Sequence, residues 1–285
     1  MREEKLPCLG KGGFHRMHYV EWGAPDARTV VICVHGLTRC SRDFDVLAGA
    51  LQPELRVVCP DVVGRGKSDW LRDALDYTYA QYCSDMAALI ARVTAGKGVR
   101  RVCWVGTSMG GIIGMLLASD PGSPIERLVV NDVGIIVPKA ALARLAEYVG
   151  RDPRFASYAE LAAYARTVSA PFGPLTDEQW DHLTRHTATQ HADGSWGFSY
   201  DPRIGLPFRQ SPLEDVNLLE FWDRITCPTL LIRGAESDLL PRDVALEMTR
   251  RGPRPRLAEF DGIGHAPMLM AADQIAVVRD FLLEA

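Results

Sequence analysis

Residues 101–120 read RVCWVGTSMGGIIGMLLASD. The apolar run Val102–Val105 has the make-up of a buried strand, and Met109–Ser119 that of a helix. Between them lies Gly106-Thr107-Ser108-Met109-Gly110, followed by Gly111. A serine in an ordinary connecting turn does not need glycine on both sides. Glycines packed this densely mark backbone held where any Cβ would collide. The pattern G-x-S-x-G between a strand and a helix predicts a sharp, strained elbow. Such an elbow lifts the Ser108 hydroxyl clear of the strand and sets it at a helix N-terminus. There the free N–H of Met109 can stabilise an oxyanion. We therefore read Ser108 as a nucleophile.

The sequence on either side repeats the strand–helix rhythm. Strands are expected at His15–Gly23, Thr29–Gly36, Arg56–Asp61, Glu126–Asp132, Pro228–Gly234 and Arg256–Gly262. Helical periodicity covers Phe44–Leu51, Tyr79–Val93, Arg242–Arg251 and Ala272–Leu283. Short β-branched runs alternating with longer helices define an α/β fold: a mostly parallel central sheet with helices on both faces. Residues 138–212 break the rhythm. They carry helical patterns such as SYAELAAYARTVS (157–169) and TDEQWDHLTRH (176–186), almost no convincing strand, and a concentration of aromatics including Tyr164, Phe172, Trp180, Trp196 and Phe198. No flexible linker flanks them. The expected organisation is a core of residues 1–137 and 213–285 with an inserted helical cap of residues 138–212.

Composition narrows the function classes. The chain has 285 residues, is 47% hydrophobic and 24% charged, and carries a net charge of −4. It offers no basic face for nucleic acid and no apolar run long enough for a membrane helix. The opening MREEKLPCLGKGG lacks the apolar centre of a signal peptide, so a cytoplasmic location is expected. Of seven cysteines, Cys33, Cys59 and Cys103 sit inside apolar runs and read as small buried hydrophobes in a reducing compartment. Neither CxxC nor HExxH spacing occurs, so no metal is expected. Gly66-Lys67-Ser68 has the tail of a phosphate loop, but Asp61 stands where that loop needs glycine. No cofactor is expected.

Five segments carry a family resemblance: VHGLT (34–38), GRGKSD (64–69), VGTSMGG (105–111), RGAESDLL (233–240) and GIGHAPML (262–269). With them the chain resembles the α/β-hydrolase superfamily, of the serine-esterase type with a helical cap. The resemblance implies a chain order of nucleophile, acid and histidine. It places the acid at Asp238, four residues after Gly234, with Glu236 as a nearby competitor. Asp132, at the end of the VVND run, is an alternative position that some relatives use. It places the base at His265, in a Gly/Pro-flanked loop before the last helix, and the oxyanion donors at the backbone N–H groups of Leu37 and Met109. His35 is expected to be a scaffold residue. Relatives that open epoxides or haloalkanes carry aspartate where this chain has Ser108.

The implied chemistry is acyl transfer through Ser108, with His265 as base and Asp238 fixing its tautomer. An aromatic cap favours a small to medium, partly apolar carboxylic ester or lactone as substrate. Arg39, Phe172, Trp196 and His191 are candidate pocket residues, with a solvated loop as the alternative place for Arg39. Two other readings stay open. One is hydrolysis of a carbon–carbon bond in a ring-cleavage diketone, with Arg166, Arg185 or Arg203 meeting a substrate carboxylate. The other is a non-hydrolytic small-molecule receptor on the same fold. The expected partner is a small molecule, without nucleic acid or membrane, and the chain is expected to be a monomer or homodimer.

Overall fold

A computed structural model describes residues 1–95, 98–207 and 214–284. Eight strands form one sheet: β1 (Arg2–Gly10), β2 (Gly13–Trp22), β3 (Thr29–Val34), β4 (Arg56–Pro60), β5 (Arg101–Thr107), β6 (Ile125–Asn131), β11 (Thr229–Gly234) and β12 (Arg256–Phe260). Their spatial order is β1-β2-β4-β3-β5-β6-β11-β12. Pairing is parallel from β4 through β12, while β2 runs antiparallel to both β1 and β4. The central strands bury both faces, which is why they read as unbroken apolar runs. In β3, Val30, Ile32 and Val34 pack into one layer of the core with Trp104, and Val31 and Cys33 pack into the other with Val105. The helices covering the sheet are α1 (Asp45–Leu51), α2 (Tyr79–Thr94), α3 (Met109–Ser119), α7 (Leu219–Arg224), α8 (Arg242–Met248) and α9 (Ala272–Leu283). Among the described residues, no helix is long and apolar enough to cross a membrane.

The α/β class expected from the alternation is the observed one. β1, however, was not foreseen. Its sequence REEKLPCLG is largely exposed and charged, as suits an edge strand whose partner lies on one side only. Apolar periodicity cannot mark such a strand.

Between β6 and β11 the chain leaves the sheet. The strands β7 (Ile136–Val137) and β10 (Val216–Asn217) pair antiparallel where it departs and returns. The excursion holds α4 (Lys139–Ala146), α5 (Tyr158–Val168) and α6 (Asp177–Thr187). It also holds a small hairpin of β8 (Ala188–Gln190) and β9 (Trp196–Phe198). The expected helices are present, and the hairpin is an addition to the expected pattern. The expected boundary at 212/213 falls outside the described residues.

The elbow is built as its glycines require. Ser108 has φ 53° and ψ −114° and directly precedes α3. A Cβ on Gly106 would lie 2.1 Å from the Gly110 carbonyl oxygen, and one on Gly110 would lie 2.0 Å from that of Val34. Both contacts are with backbone, which cannot yield. Gly110→Ala is therefore expected to cost about 3 kcal/mol or more through forced separation of α3 from β3. Gly49→Ala, where an added Cβ meets nothing within 4 Å, should be neutral or gain about 0.5–1 kcal/mol of helix propensity. Thermal melts of the two variants check this, and equal stability would refute the packing argument.

Candidate active site

Three side chains from separate loops meet above the sheet. His265 Nε2 lies 2.9 Å from Ser108 Oγ, and His265 Nδ1 lies 2.7 Å from Asp132 Oδ2. Ser108 follows β5, Asp132 follows β6, and His265 lies in the loop between β12 and α9. A proton on Nδ1, donated to Asp132, leaves the Nε2 lone pair to accept from the serine hydroxyl. The Asp132 side chain is fully buried. A buried carboxylate needs donors on both oxygens, and Asp132 has them. Gly234 N donates to Oδ1 at 2.9 Å, and Ser237 Oγ donates to Oδ2 at 2.7 Å, beside His265. Asn131 Nδ2 donates to Thr107 Oγ1 and to the Pro267 carbonyl, which ties β5, β6 and the His265 loop together.

Asp238, the acid expected from the resemblance, is not next to His265. Its carboxylate receives Arg144 Nε at 2.7 Å and Nη2 at 2.9 Å, with the Asp238 side chain 53% exposed. The cause is the turn after β11. Ser237 N donates back to the Gly234 carbonyl, and Leu239 N and Leu240 N donate to Ser237 Oγ. This points Ser237 inward to Asp132 and its neighbour Asp238 outward. Glu236 is also exposed. Ser237 was not foreseen, and only its place beside Asp238 in the motif hints at it.

A cavity of about 130 Å³ opens over Ser108 and His265. The VHGLT segment forms one wall: a Cβ on Gly36 would sit 3.8 Å from that of Ser108, so the backbone around Leu37 lies beside the nucleophile. Arg65 Nε donates to the Leu37 carbonyl at 2.8 Å. His35 is fully buried. Its Nε2 accepts from Val62 N at 2.9 Å and its Nδ1 donates to the Gly36 carbonyl at 2.7 Å. Burial lowers its pKa, so it is a neutral brace and plays the scaffold part expected of it.

Of the expected pocket residues, Arg39 and Phe172 line the cavity. Arg39 is clamped by Asp43 (2.8 and 2.6 Å) and its guanidinium lies 5.6 Å from the Phe172 ring centre. Trp196 and His191 do not line it. Trp196 packs edge-on to Tyr158 and exchanges backbone hydrogen bonds with Phe155. His191 sits against Gly197 in the β8–β9 hairpin. Both belong to the outer part of the excursion. Besides Phe172, the aromatics that line the cavity among the described residues are Phe44, Tyr148, Tyr164, Phe198 and Tyr200.

Among the described residues, two clusters bring metal-ligating atoms together: Cys8, His15 and Asp85, and Asp45, His182 and His186. In the first, His15 Nε2 and Asp85 Oδ2 already pair at 2.9 Å. Burial, reinforced by Asp85, pushes the Cys8 thiol up to about 12, against the thiolate a metal requires. In the second, Arg42 Nε takes both Asp45 oxygens at 2.9 and 2.8 Å, and His182 Nε2 donates to the Arg42 carbonyl at 3.0 Å. The carboxylate of each cluster is thus already committed within the protein, while His15 Nδ1 and His186 Nε2 are buried without a hydrogen-bond partner. The GKS turn holds no phosphate cradle either. Asp61 fills it, accepting from Lys67 N, Ser41 N and His18 Nδ1.

The strand–elbow–helix, with its serine hydrogen-bonded to a late-loop histidine, is the architecture of the alpha/beta hydrolase family. The model of that family matches residues 31–278. The chain belongs to it and is a hydrolase. It is 45% identical over 288 residues to a 3-hydroxybutyrate-oligomer hydrolase of Cupriavidus necator, covering 98% of this chain and 97% of the relative. An alpha/beta hydrolase structure from Novosphingobium aromaticivorans matches with a TM-score of 0.85 and 34% identity, over 98% of both chains. A solved protein of Rickettsia typhi matches with a TM-score of 0.91 and 30% identity, over 99% of both.

His186, in the Asp45 cluster, yields a test of the folded state. Burial, then the charge of Arg42 and the neighbouring His182, lowers its pKa from 6.5 to about 4. Between these values the unfolded chain takes up a proton that the folded chain refuses, so stability falls as pH drops through that window. His186→Gln removes this contribution. The loss of unfolding free energy from pH 7 to pH 4.5 should be smaller in the variant by on the order of 1–2 kcal/mol, allowing for partial solvent contact. Urea unfolding at both pH values measures it, and an equal loss in the two proteins would contradict the assignment.

Proposed function

We propose that the protein is a serine ester hydrolase working through an acyl-enzyme, with Ser108 as nucleophile, His265 as base and Asp132 as the acid. The observation that carries this reading is the continuous Ser108–His265–Asp132 hydrogen-bond chain at the floor of the cavity. His265 takes the proton as Ser108 attacks the ester carbonyl, and Asp132 stabilises the resulting imidazolium. The N–H groups of Leu37 and Met109 hold the oxyanion, each donor being worth about 3 kcal/mol of transition-state stabilisation. His265 then protonates the leaving alkoxide, and water releases the acyl group by the reverse sequence.

The excursion of residues 138–212 acts as a cap. It supplies Leu145, Tyr148, Tyr164, Val168 and Phe172 to the cavity lining, an apolar surface suited to short aliphatic units. Together with the 45% identity to the 3-hydroxybutyrate-oligomer hydrolase, this supports short linear 3-hydroxybutyrate esters as substrate. The diketone alternative draws no support from its expected arginines. Arg166 pairs with Asp177, Arg185 with Asp181 and Arg203 with Asp201, and none of the three lines the cavity.

The test combines p-nitrophenyl butyrate and 3-hydroxybutyrate trimer hydrolysis with labelling by a fluorophosphonate. The wild type should turn over both esters and take one adduct at Ser108, and Ser108→Ala should lose both properties while keeping its fold. Asp132→Asn should lower kcat by about 10³–10⁴-fold, at least a hundredfold more than Asp238→Asn. The reverse ranking would return the acid role to Asp238. Absence of turnover with intact ligand-induced stabilisation would favour the receptor reading.

A further inference from the structure

Arg144 and Asp238 form an ion pair that the ester chemistry leaves unused. We propose that this pair is an exchangeable lock at the cavity, and that Arg144, with the hydroxyl of Tyr148, binds the free carboxylate end of an oligoester substrate. The inference rests on the ester reading above and adds to it a subsite for one end of the substrate.

Arg144, Leu145 and Tyr148 all line the cavity that holds Ser108 and His265. Arg144 lies in the last turn of α4 and Tyr148 in the turn that follows it, where Tyr148 N donates to the Leu145 carbonyl. Burial raises the pKa of the Tyr148 hydroxyl, and the Arg144 guanidinium offsets part of that rise. An arginine fork beside a phenol offers a planar pair of N–H donors and a third O–H donor, a good match for a carboxylate.

Among the described residues Arg39 and Arg144 are the arginines that line the cavity, and burial decides between them. Arg39 and Asp43 are 16% and 8% exposed at the side chain, and their two hydrogen bonds close at 2.8 and 2.6 Å. Taking Arg39 away would strand a buried carboxylate, a costly loss. Arg144 and Asp238 are 40% and 53% exposed. An exposed pair of this kind contributes little net free energy, and on separation Asp238 simply returns to water. Arg144 can therefore trade its partner for an incoming carboxylate at small cost, whereas Arg39 is fixed. Asp238 does not itself line the cavity; in the resting protein it holds the Arg144 N–H donors that the substrate end would take. A neutral ester gains nothing from the exchange, so the subsite selects for charge at one end.

The test compares 3-hydroxybutyrate trimer acid with its methyl ester, reading the ratio of kcat/KM (acid over methyl ester) in wild type, Arg144→Gln, Arg144→Lys and Asp238→Asn. Arg144→Gln should lower the ratio about tenfold, mainly through a higher KM for the acid, and Arg144→Lys should restore part of it. Asp238→Asn removes the competing carboxylate and should raise the ratio. A fall of less than threefold in Arg144→Gln overturns the subsite. A fall in Asp238→Asn also overturns it, because it would make Asp238 a support for Arg144 and not a competitor. Failure of the ester reading itself looks different: wild type would then hydrolyse neither the trimer nor its methyl ester.

Discussion

The backbone of Ser108 is the constraint on which the remaining geometry hangs. A φ of 53° at a non-glycine residue costs on the order of 1–3 kcal/mol, and it persists because its surroundings leave no alternative. Ser108 N is held by the Asn131 carbonyl at 2.9 Å, and Ile112 N closes the first turn of α3 on the Ser108 carbonyl at 3.0 Å. Trp104 Nε1 donates to the Gly110 carbonyl at 3.0 Å, fastening the helix back onto the strand that feeds it. Relaxing Ser108 would require β5 and α3 to part, and the glycine contacts show how little room separates them. The strain is thus spread over the best-packed part of the core.

The same packing determines which carboxylate meets His265. β6 is the strand between β5 and β11, so its end lies beside the elbow. From there a short aspartate reaches the histidine loop. Asp132 itself has φ 57°, a conformation aspartate tolerates better than most residues. Its carboxylate then collects Gly234 N and Ser237 Oγ from the end of β11. Each donor offsets part of the desolvation cost, and together they hold the oxygen that meets His265 at a fixed height. The late-strand loop still reaches this cluster, but through the Ser237 hydroxyl that steadies the Asp132 carboxylate.

This explains which parts were legible in the sequence. The central strands and α3 could be read because burial on both faces and glycine spacing leave direct traces in residue choice. Ser108 and His265 could be read because each needs a loop chemistry that few other positions share. The acid could not be fixed in the same way. Asp132 and Asp238 both follow a strand and both precede a loop, and only the direction of the turn at Ser237 separates them. That turn depends on hydrogen bonds formed after folding. The edge strand β1 was missed for a similar reason, since its register is set by β2 and leaves no pattern in its own charged sequence. Trp196 and His191 lie away from the cavity lining; aromatic and imidazole content marks the excursion between β6 and β11 but not which of its side chains turn toward Ser108.

The distribution of charge around the cavity follows from burial. Asp132 and Asp43 are both nearly dry, and each is committed to a fixed partner, His265 and Arg39 respectively. Neither pair can open without leaving an uncompensated charge in a medium that screens poorly. These pairs therefore supply geometry: one orients the His265 ring, and the other holds the loop that follows Leu37 against Phe172. Nearer the solvent the balance changes. Ion pairs there gain little from closing and lose little from opening, so they are the groups able to respond to what enters. A cavity whose interior charges are locked and whose outer charges are loose can keep one catalytic arrangement while sorting substrates by their ends.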